Sequence, residues 1–379
     1  MLLLCCLLLP EVKKQHLPNL VAMMRYNRQI ILPEVGEKGQ KKLSQAKVLI
    51  IGAGGLGAAI LPYLAAAGIG EIGIIDDDAI EISNLQRQVI YKSDAVGKPK
   101  VLEAKEMALS LNPSIQINAI TDTLNPKNAI ALFEYYDIMV DATDNLQTKY
   151  LINDACVVTN KPFVYGSIYK FQGQVSVFNY QNGPTYRCLF PDEKSNSKNC
   201  VDLGVMGISV GIIGMFQANE VLKMVLGIGN VLSGELLIYN MLTNDQQKFE
   251  LVKTNTDSLS RLDFEKKYNA VENTILEITA NEALEQINDL EVLFLDVRNE
   301  DEFPKISLPN SIQIPLADLE GSLSELDSNK KLLVYCQSGV RSKRAVEILR
   351  NYSFSKVQSI AGGALKLEGV IATNAISIL

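Results

Sequence analysis

Residues 46–78 read AKVLIIGAGGLGAAILPYLAAAGIGEIGIIDDD. An apolar run leads into a glycine-rich turn and an alanine-rich segment, and a second apolar run then ends in three acidic residues. This order predicts a strand, a helix and a second parallel strand, which together form a βαβ unit. The alternation continues to DIMVDATDN at 137–145 and predicts an α/β fold with a doubly wound, mostly parallel sheet.

The glycines of the first turn suggest a nucleotide site. Gly52, Gly54, Gly55 and Gly57 follow the strand and open the helix, and Asp76 lies 19 residues beyond Gly57 at the end of the next strand. Glycines let backbone amides and the helix N-terminus approach phosphate, while the acid can bond a ribose hydroxyl. An NAD-dependent dehydrogenase, or a tight turn without a ligand, would show the same pattern.

Composition limits the chemistry. The chain has 379 residues, with 36 Lys and Arg against 43 Asp and Glu, for a net charge of −7. That length fits about two to three domains. The acidic balance argues against nucleic-acid or anionic-membrane binding. The single histidine, His16, argues against Ser-His-Asp triads and two-His zinc sites.

Six scattered cysteines do not form the framework of a disulfide-stapled secreted domain, so we expect a cytoplasmic protein. The opening MLLLCCLLLP resembles a signal-peptide core but lacks a basic start and a cleavage site. Residues 1–24 could be a secretory leader, an anchor acylated at Cys5 or Cys6, or an upstream stretch before a true start at Met23 or Met24. We favour the last, because the nucleotide site needs a cytosolic ligand.

The pattern divides the rest of the chain. Residues 25–255 predict the larger domain, in which the apolar, glycine-containing run at 201–227 suggests a buried helix pair. Residues 256–272 are polar and weakly periodic, which is typical of a linker. Alternation restarts at 273–379 and predicts a smaller α/β domain.

Further motifs favour nucleotidyl transfer over hydride transfer. SNLQRQ (83–88) and GKPK (97–100) supply Arg and Lys that can converge on phosphates, where charge develops in the transition state. Together with RYNRQI at 25–30, DATDN, and CVDLGVMG at 200–207, they make residues 24–255 resemble the MoeB, ThiF and HesA family of ubiquitin-activating-type adenylating enzymes.

This resemblance implies ATP and magnesium as cofactors and assigns roles by position. Asp76 would bind the ribose, and Asp144 would lie by the magnesium ion and the α-phosphate. Arg28 would reach into the site of a partner subunit, which implies a homodimer. The residues implied for the triphosphate are Asn84, Arg87 and Lys100.

The same family holds a structural zinc ion between two C-x-x-C pairs. Here the first pair reads TYRC at 185–188, and the second region, TNTDSLSRL at 254–262, has no cysteine. Only Cys188 of the expected ligands remains. We therefore expect no zinc, because a tetrahedral structural site needs four ligands.

The second domain contains CQSGVRS at 336–342, between an apolar strand and a helix. There, backbone amides, the helix N-terminus and Arg341 would stabilise a thiolate or persulfide on Cys336. With LDVRNEDEF at 295–303 and AGG at 361–363, this region resembles a rhodanese domain, and its six-residue loop from Cys336 to Arg341 suits sulfur transfer. KISLPNSI at 305–312 departs from the family pattern, and an inactive rhodanese remains the alternative.

Cys200 follows the polar stretch PDEKSNSKN at 191–199 and matches the cysteine that similar enzymes place near the adenylate. Its thiol could attack an acyl intermediate or resolve a disulfide. A loop cysteine without a role is the alternative.

These resemblances imply ATP-dependent adenylation of a small ubiquitin-like sulfur carrier ending in Gly-Gly. Sulfur from Cys336, loaded by a persulfide donor, would then form a thiocarboxylate for molybdopterin or thiamine synthesis. Two alternatives stay open, namely adenylation alone with an external sulfur donor and a non-catalytic nucleotide-binding scaffold.

Overall fold

The computed structural model describes residues 17–191, 204–254, 259–272, 277–300, 302–352, 354 and 356–376. The expectations for the leader, with Cys5 and Cys6, and for Cys200 therefore fall outside the described residues. The chain forms two compact units, Met1–Glu265 and Lys266–Leu379.

The first unit is built on an eight-stranded sheet of order β3-β2-β1-β4-β5-β6-β7-β8. From β3 to β5 all neighbours are parallel, and from β5 to β8 they are antiparallel. The predicted doubly wound, mostly parallel fold is confirmed. The strands are β1 (Lys47–Ile51), β2 (Glu71–Ile75), β3 (Gln116–Ile120), β4 (Ile138–Asp141), β5 (Phe163–Tyr169), β6 (Gln172–Phe178), β7 (Glu235–Asn240) and β8 (Gln246–Glu250).

Local sequence sets the helix boundaries. Asn125 caps one helix by accepting from the amides of Lys127 and Asn128, with Pro126 in the first turn, where its missing amide hydrogen costs nothing. The helices of this unit are α1 (Leu17–Ile30), α2 (Gly36–Gln45), α3 (Gly55–Ala67), α4 (Lys100–Leu111), α5 (Pro126–Tyr135), α6 (Leu146–Thr159), α7 (Tyr186–Leu189) and α8 (Gly207–Leu226).

The predicted helix pair at 201–227 is wrong, because α8 is one continuous helix of 20 residues. Its glycines do not mark a turn. At Gly214 a Cβ would lie 2.6 Å from Ala59 Cβ of α3, so glycine allows the two helices to approach closely. α8 is long and apolar enough to cross a membrane, and half of its apolar window is buried inside the structure.

The predicted linker at 256–272 contains a helix, α9 (Arg261–Glu272). The polar composition of this segment gives no clear helical pattern in the sequence. In the structure Phe264 of α9 is buried, with 1% of its surface exposed. The second unit then forms a parallel sheet of order β11-β10-β12-β13-β9. Its remaining elements are β9 (Glu277–Ile278), α10 (Ala280–Glu285), β10 (Val292–Asp296), β11 (Ser311–Gln313), β12 (Lys331–Tyr335), α11 (Val340–Asn351), β13 (Val357–Ile360) and α12 (Gly363–Ile376).

Candidate active sites

A cavity of about 540 Å³ opens at the carboxyl ends of β1, β2, β4 and β5. β1 and β4 are neighbours although β2 and β3 intervene in sequence, so the cavity lies at the topological switch point where open α/β sheets bind ligands. Two of the residues predicted for the adenylation site, Gly57 and Arg28, do not line this cavity. The sequence-predicted residues that line it are Gly52, Gly54, Gly55, Asp76, Asn84, Arg87, Lys100 and Asp144.

The glycine turn brings β1, β4 and α3 close together. Gly52 has a φ of +103°, and a Cβ there would lie 2.7 Å from the carbonyl oxygen of Ala142, at the end of β4. A Cβ on Gly57 would lie 2.2 Å from the Gly52 oxygen. α3 begins after Gly54 without a side-chain cap. Its first amides can therefore bind phosphate.

Charged groups of opposite sign face this turn. The Asp76 carboxylate accepts from the amides of Ala53 at 2.7 Å and Asp78 at 2.9 Å. Burial raises the pKa of Asp76 above its ordinary value. Its oxygens keep lone pairs for a ribose hydroxyl. Lys100 is buried, with its Nζ 2.6 Å from Asp78 Oδ2.

The other predicted phosphate ligands are held mainly by local contacts. Arg87 Nη1 donates to the Ser83 carbonyl at 3.1 Å, and Asn84 Oδ1 accepts from the Glu81 amide at 3.1 Å. Asp144 is exposed beside the start of α6. The structure therefore leaves the Asp144 carboxylate accessible from the cavity, as a magnesium ligand would need to be.

Three consecutive acids, Asp76, Asp77 and Asp78, place ligand oxygens within 4.8 Å of one another. Oxygen atoms of this kind are what Mg²⁺ prefers. The Lys100 ammonium already binds Asp78 Oδ2 and would compete with a metal ion for that one oxygen.

A buried ion pair in the wall of the cavity was not predicted from the sequence, and one of its partners, Lys149, lines the cavity. Lys149 Nζ lies 2.7 Å from Asp141 Oδ2, and both side chains are buried. The ammonium also donates to the carbonyls of Thr143 at 2.9 Å and Gly166 at 3.1 Å. Asp141 Oδ1 accepts from the amide and hydroxyl of Thr143. The sequence does offer one sign of this pair. Lys149 lies in the first turn of α6, where a positive charge interacts unfavourably with the helix dipole.

This network joins the end of β4 to the middle of the neighbouring strand β5, beside the cavity. Lys149 joins the last residue of β4, the following turn and Gly166 of β5. From α8, Gln217 Nε2 donates to the Asp141 carbonyl at 2.7 Å and to the Val164 carbonyl at 3.3 Å. Hydrogen bonds from Lys149 and Gln217 therefore hold the residues just before Asp144 in place.

The second unit places Cys336 directly after β12 and before α11. Its side chain is buried, and its Sγ accepts from the Gly339 amide at 3.2 Å and lies 3.8 Å from Ser342 Oγ. A Cβ on Gly363 would lie 2.1 Å from the Cys336 carbonyl oxygen, which explains the glycine in AGG. The predicted strand, loop and helix around the sulfur are present.

The predicted charge of Arg341 is present but is neutralised. Its Nη1 lies 2.6 Å from Glu302 Oε1, and its second terminal nitrogen pairs with Glu302 Oε2. Arg298 is buried and pairs with Asp296, with Nη2 2.7 Å from Oδ2. The sequence alone does not predict this pairing, because Glu302 lies 39 residues from Arg341 in the chain.

The predicted residue Arg28 and the cysteine of α6 stand apart from both sites. Arg28 is exposed on α1, and its role toward a partner subunit stays a prediction. Cys156 of α6 is buried, and this burial raises the pKa of its thiol well above the usual value. Cys156 therefore packs in the core as a neutral thiol.

The donors around Cys188 do not fit a zinc site. Its Sγ accepts from the Thr185 amide at 3.3 Å, the Thr254 amide at 3.4 Å and the Thr254 hydroxyl at 3.4 Å. Amide and hydroxyl hydrogens point at the sulfur, whereas structural zinc needs four anionic or imidazole ligands. Hydrogen bonds join the α7 turn to the segment after β8 here.

We predict that removing the Lys149 charge destabilises the first unit. Lys149→Met should lower the free energy of unfolding by about 3–5 kcal/mol, because Asp141 would keep a buried charge without a partner. Lys149→Arg should lose less. Urea unfolding measures both variants, with the exposed Lys41→Met as the matched control. A Lys149→Met variant as stable as Lys41→Met would contradict the structural role.

We also predict that the protein binds no structural zinc. Elemental analysis should find well under one zinc per chain, and a chelator should leave the thermal midpoint unchanged, because Thr185 and Thr254 offer no thiolate. Cys188→Ser, the control, should not alter the metal content. Stoichiometric zinc that Cys188→Ser removes would show that the ligands have been misplaced.

Comparison with known proteins identifies both units. The model of the ThiF family matches residues 26–260, and that of the rhodanese-like domain matches residues 279–368. A probable molybdopterin-synthase adenylyltransferase of Porphyra purpurea is 37% identical, over 93% of this chain and 95% of that protein. The adenylyltransferase and sulfurtransferase MOCS3-1 of Zea mays is 38% identical, over 89% of this chain and 80% of the relative.

Two further likenesses agree. The probable adenylyltransferase/sulfurtransferase MoeZ of Mycobacterium tuberculosis is 37% identical, over 89% of this chain and 91% of that protein. Among solved structures, E. coli MccB with ATP is 26% identical with a TM-score of 0.54, covering 62% of this chain and 74% of that one. The fold, the nucleotide cavity and these matches together show that the chain belongs to the ThiF family and carries a C-terminal rhodanese-like domain.

Proposed function

We propose that the protein adenylates the C-terminal glycine of a small ubiquitin-like sulfur carrier and then delivers sulfur to it. The family matches and the relatives' names make the chain an adenylyltransferase with sulfurtransferase capacity. The observation that supports the substrate chemistry most is the cavity, where the amides of α3, Asp76, Arg87, Lys100 and Asp144 face one space.

Adenylation needs positioning and charge, and no general base, because the carrier carboxylate is already ionised at neutral pH. One carboxylate oxygen attacks the α-phosphorus of ATP, the bond to the β-phosphate breaks, and pyrophosphate leaves. Asp76 orients the ribose, while Asn84, Arg87 and Lys100 stabilise the charge that grows on the leaving group. Magnesium, which Asp144 would help to hold, neutralises phosphate charge when bound.

Sulfur transfer uses the second unit. A donor passes its outer sulfur to the Cys336 thiolate, which becomes a persulfide. The terminal sulfur attacks the acyl carbon, AMP leaves, and carrier and enzyme share an acyl disulfide. A second thiol then cleaves that disulfide, releases the thiocarboxylate and forms a protein disulfide, which a cellular thiol reduces. We assign this resolving role to Cys200.

The finer assignments rest on relatives and on sequence. Relatives named for molybdopterin synthase favour that pathway over thiamine synthesis. Exposed Arg28 fits a homodimer in which each subunit completes the other's site. The scattered cysteines and the need for ATP favour the cytoplasm.

The adenylation site predicts the outcome of substitutions at Arg87, Lys100 and Asp144. Replacing any one by Ala should lower carrier-dependent ATP–pyrophosphate exchange about 100-fold or more, since each is assigned to transition-state charge or metal. Lys41→Ala is the control. Near-normal exchange in all three variants would refute the site, and no exchange by the wild-type protein with its carrier would favour the scaffold alternative.

The sulfur relay predicts a different pattern for the thiols. Cys336→Ala should keep pyrophosphate exchange and lose thiocarboxylate formation. Cys200→Ala should keep exchange and persulfide loading, yet accumulate a carrier adduct that reductants release, because nothing resolves the acyl disulfide. Buried Cys156→Ala controls for general thiol loss. Thiocarboxylate made by Cys336→Ala at the wild-type rate would favour adenylation with an external sulfur donor.

A further inference from the structure

The glycine-rich turn after β1 contains one peptide group whose orientation decides what it offers to phosphate. In this trans peptide the Ala53 carbonyl and the Gly54 amide hydrogen point in opposite directions. Gly54 lines the cavity, whereas Ala53 is fully buried and is not part of the lining. The Gly54 amide can therefore face a nucleotide only while the Ala53 carbonyl points away from the cavity.

The Gly54 amide is available to a ligand. Among the described residues it donates to no acceptor, although the Gly54 carbonyl accepts from the Ala58 amide at 2.8 Å as α3 begins. Side-chain packing does not hold it, since a Cβ on Gly54 would find its nearest heavy atom, Gln88 Nε2, 3.8 Å away. Glycine resists rotation of a peptide group less than other residues do. A reversed peptide would present the Ala53 carbonyl oxygen to phosphate, and like charges repel.

Tyr91 holds this peptide from outside the cavity. Its hydroxyl donates to the Ala53 carbonyl at 2.7 Å, and only 7% of the side chain's residue surface is exposed. The Ala53 amide meanwhile donates to Asp76 Oδ2 at 2.7 Å. Hydrogen bonds thus fix the peptide groups on both sides of Ala53.

The Tyr91 hydroxyl remains a donor at neutral pH. Burial, together with the nearby carboxylates of Asp76 and Asp78, raises the pKa of Tyr91 well above its ordinary value. The phenol therefore keeps its proton, and the bond to the Ala53 carbonyl does not depend on pH in the physiological range.

Tyr91 also belongs to the segment that carries two of the predicted phosphate ligands. The Tyr91 amide donates to the Gln88 carbonyl at 3.1 Å. The amides of Arg87 and Gln88 donate in turn to the Asn84 carbonyl, at 3.1 and 2.9 Å. The Tyr91 hydroxyl therefore joins the segment of Asn84 and Arg87 to the glycine turn, so that both parts of the phosphate site keep one relative geometry.

We infer that Tyr91 is a positioning residue for nucleotide binding, whose hydroxyl holds the Ala53 carbonyl and thereby turns the Gly54 amide toward a phosphate of ATP. Tyr91 itself does not line the cavity and acts only through the turn. The inference rests on the proposed ATP-dependent adenylation and adds a residue to which the nucleotide-site motifs assign no role.

Binding of ATP and of adenosine to the full chain tests this inference. Tyr91→Phe removes one oxygen atom and should weaken ATP binding about five- to tenfold, while binding of adenosine, which has no phosphate, should change less than about twofold. Competition against a fluorescent ATP analogue measures both dissociation constants. In carrier-dependent pyrophosphate exchange the KM for ATP should rise by the same factor with little change in kcat, because the lost interaction is one of binding.

Two further proteins keep the test decisive. Replacement of Tyr91 by 4-aminophenylalanine keeps a donor at the same place and should restore ATP binding. Tyr136→Phe is the matched control, because Tyr136 is a buried tyrosine of the same unit whose hydroxyl accepts from Asn118 at 3.2 Å. It should leave the ratio of the ATP and adenosine dissociation constants unchanged.

The outcomes separate this inference from the proposed function. An unchanged ratio in Tyr91→Phe, with the fold checked by its thermal midpoint, would overturn the positioning role and leave adenylation standing. So would a 4-aminophenylalanine protein that folds but does not recover ATP binding. A wild-type protein that binds no ATP in the presence of magnesium would overturn the proposed adenylation itself.

Discussion

The buried ion pair of Lys149 with Asp141 fixes the carboxyl end of β4, beside which the nucleotide cavity opens. Asp141 ends β4, and the Lys149 ammonium also binds the carbonyls of Thr143 and Gly166. Burying both charges is favourable only when hydrogen bonds complete their coordination, as they do here. The turn that carries Asp144 is thereby joined to the middle of β5, which helps to hold the wall of a site for a large, charged nucleotide in a fixed geometry.

The second unit uses a similar device. Asp296 is the last residue of β10, as Asp141 is the last residue of β4. It forms an ion pair with the buried Arg298. Arg298 also reaches Gln337 in the sulfur loop. In each unit a carboxylate at a strand end holds a cation that ties the reactive loop to the sheet. The buried charges of these two networks are thus paired with each other. The groups left to bind substrates are mainly backbone amides and the side chains that line the cavity.

Local patterns in the sequence predicted most of the fold. The run from Lys47 to Asp78 specifies strand, turn and helix through residues that are neighbours in the chain, and CQSGVRS does the same for the sulfur loop. The errors arose where packing decides. The glycine-containing run at 201–227 predicts a helix pair, whereas Gly214 lies where the single helix α8 approaches α3. The partners Lys149 with Gly166, Cys188 with Thr254, and Arg341 with Glu302 become visible only after folding brings distant residues together.

The central claim is that one chain both activates the carrier and supplies its sulfur. Its most direct measurement loads Cys336 with heavy-isotope persulfide sulfur, removes the donor, and adds ATP, magnesium and carrier for one turnover. Mass spectrometry of the carrier should show one carboxylate oxygen replaced by one heavy sulfur atom, with the label lost from Cys336. A carrier that is adenylated while all the label remains on Cys336 would contradict the account.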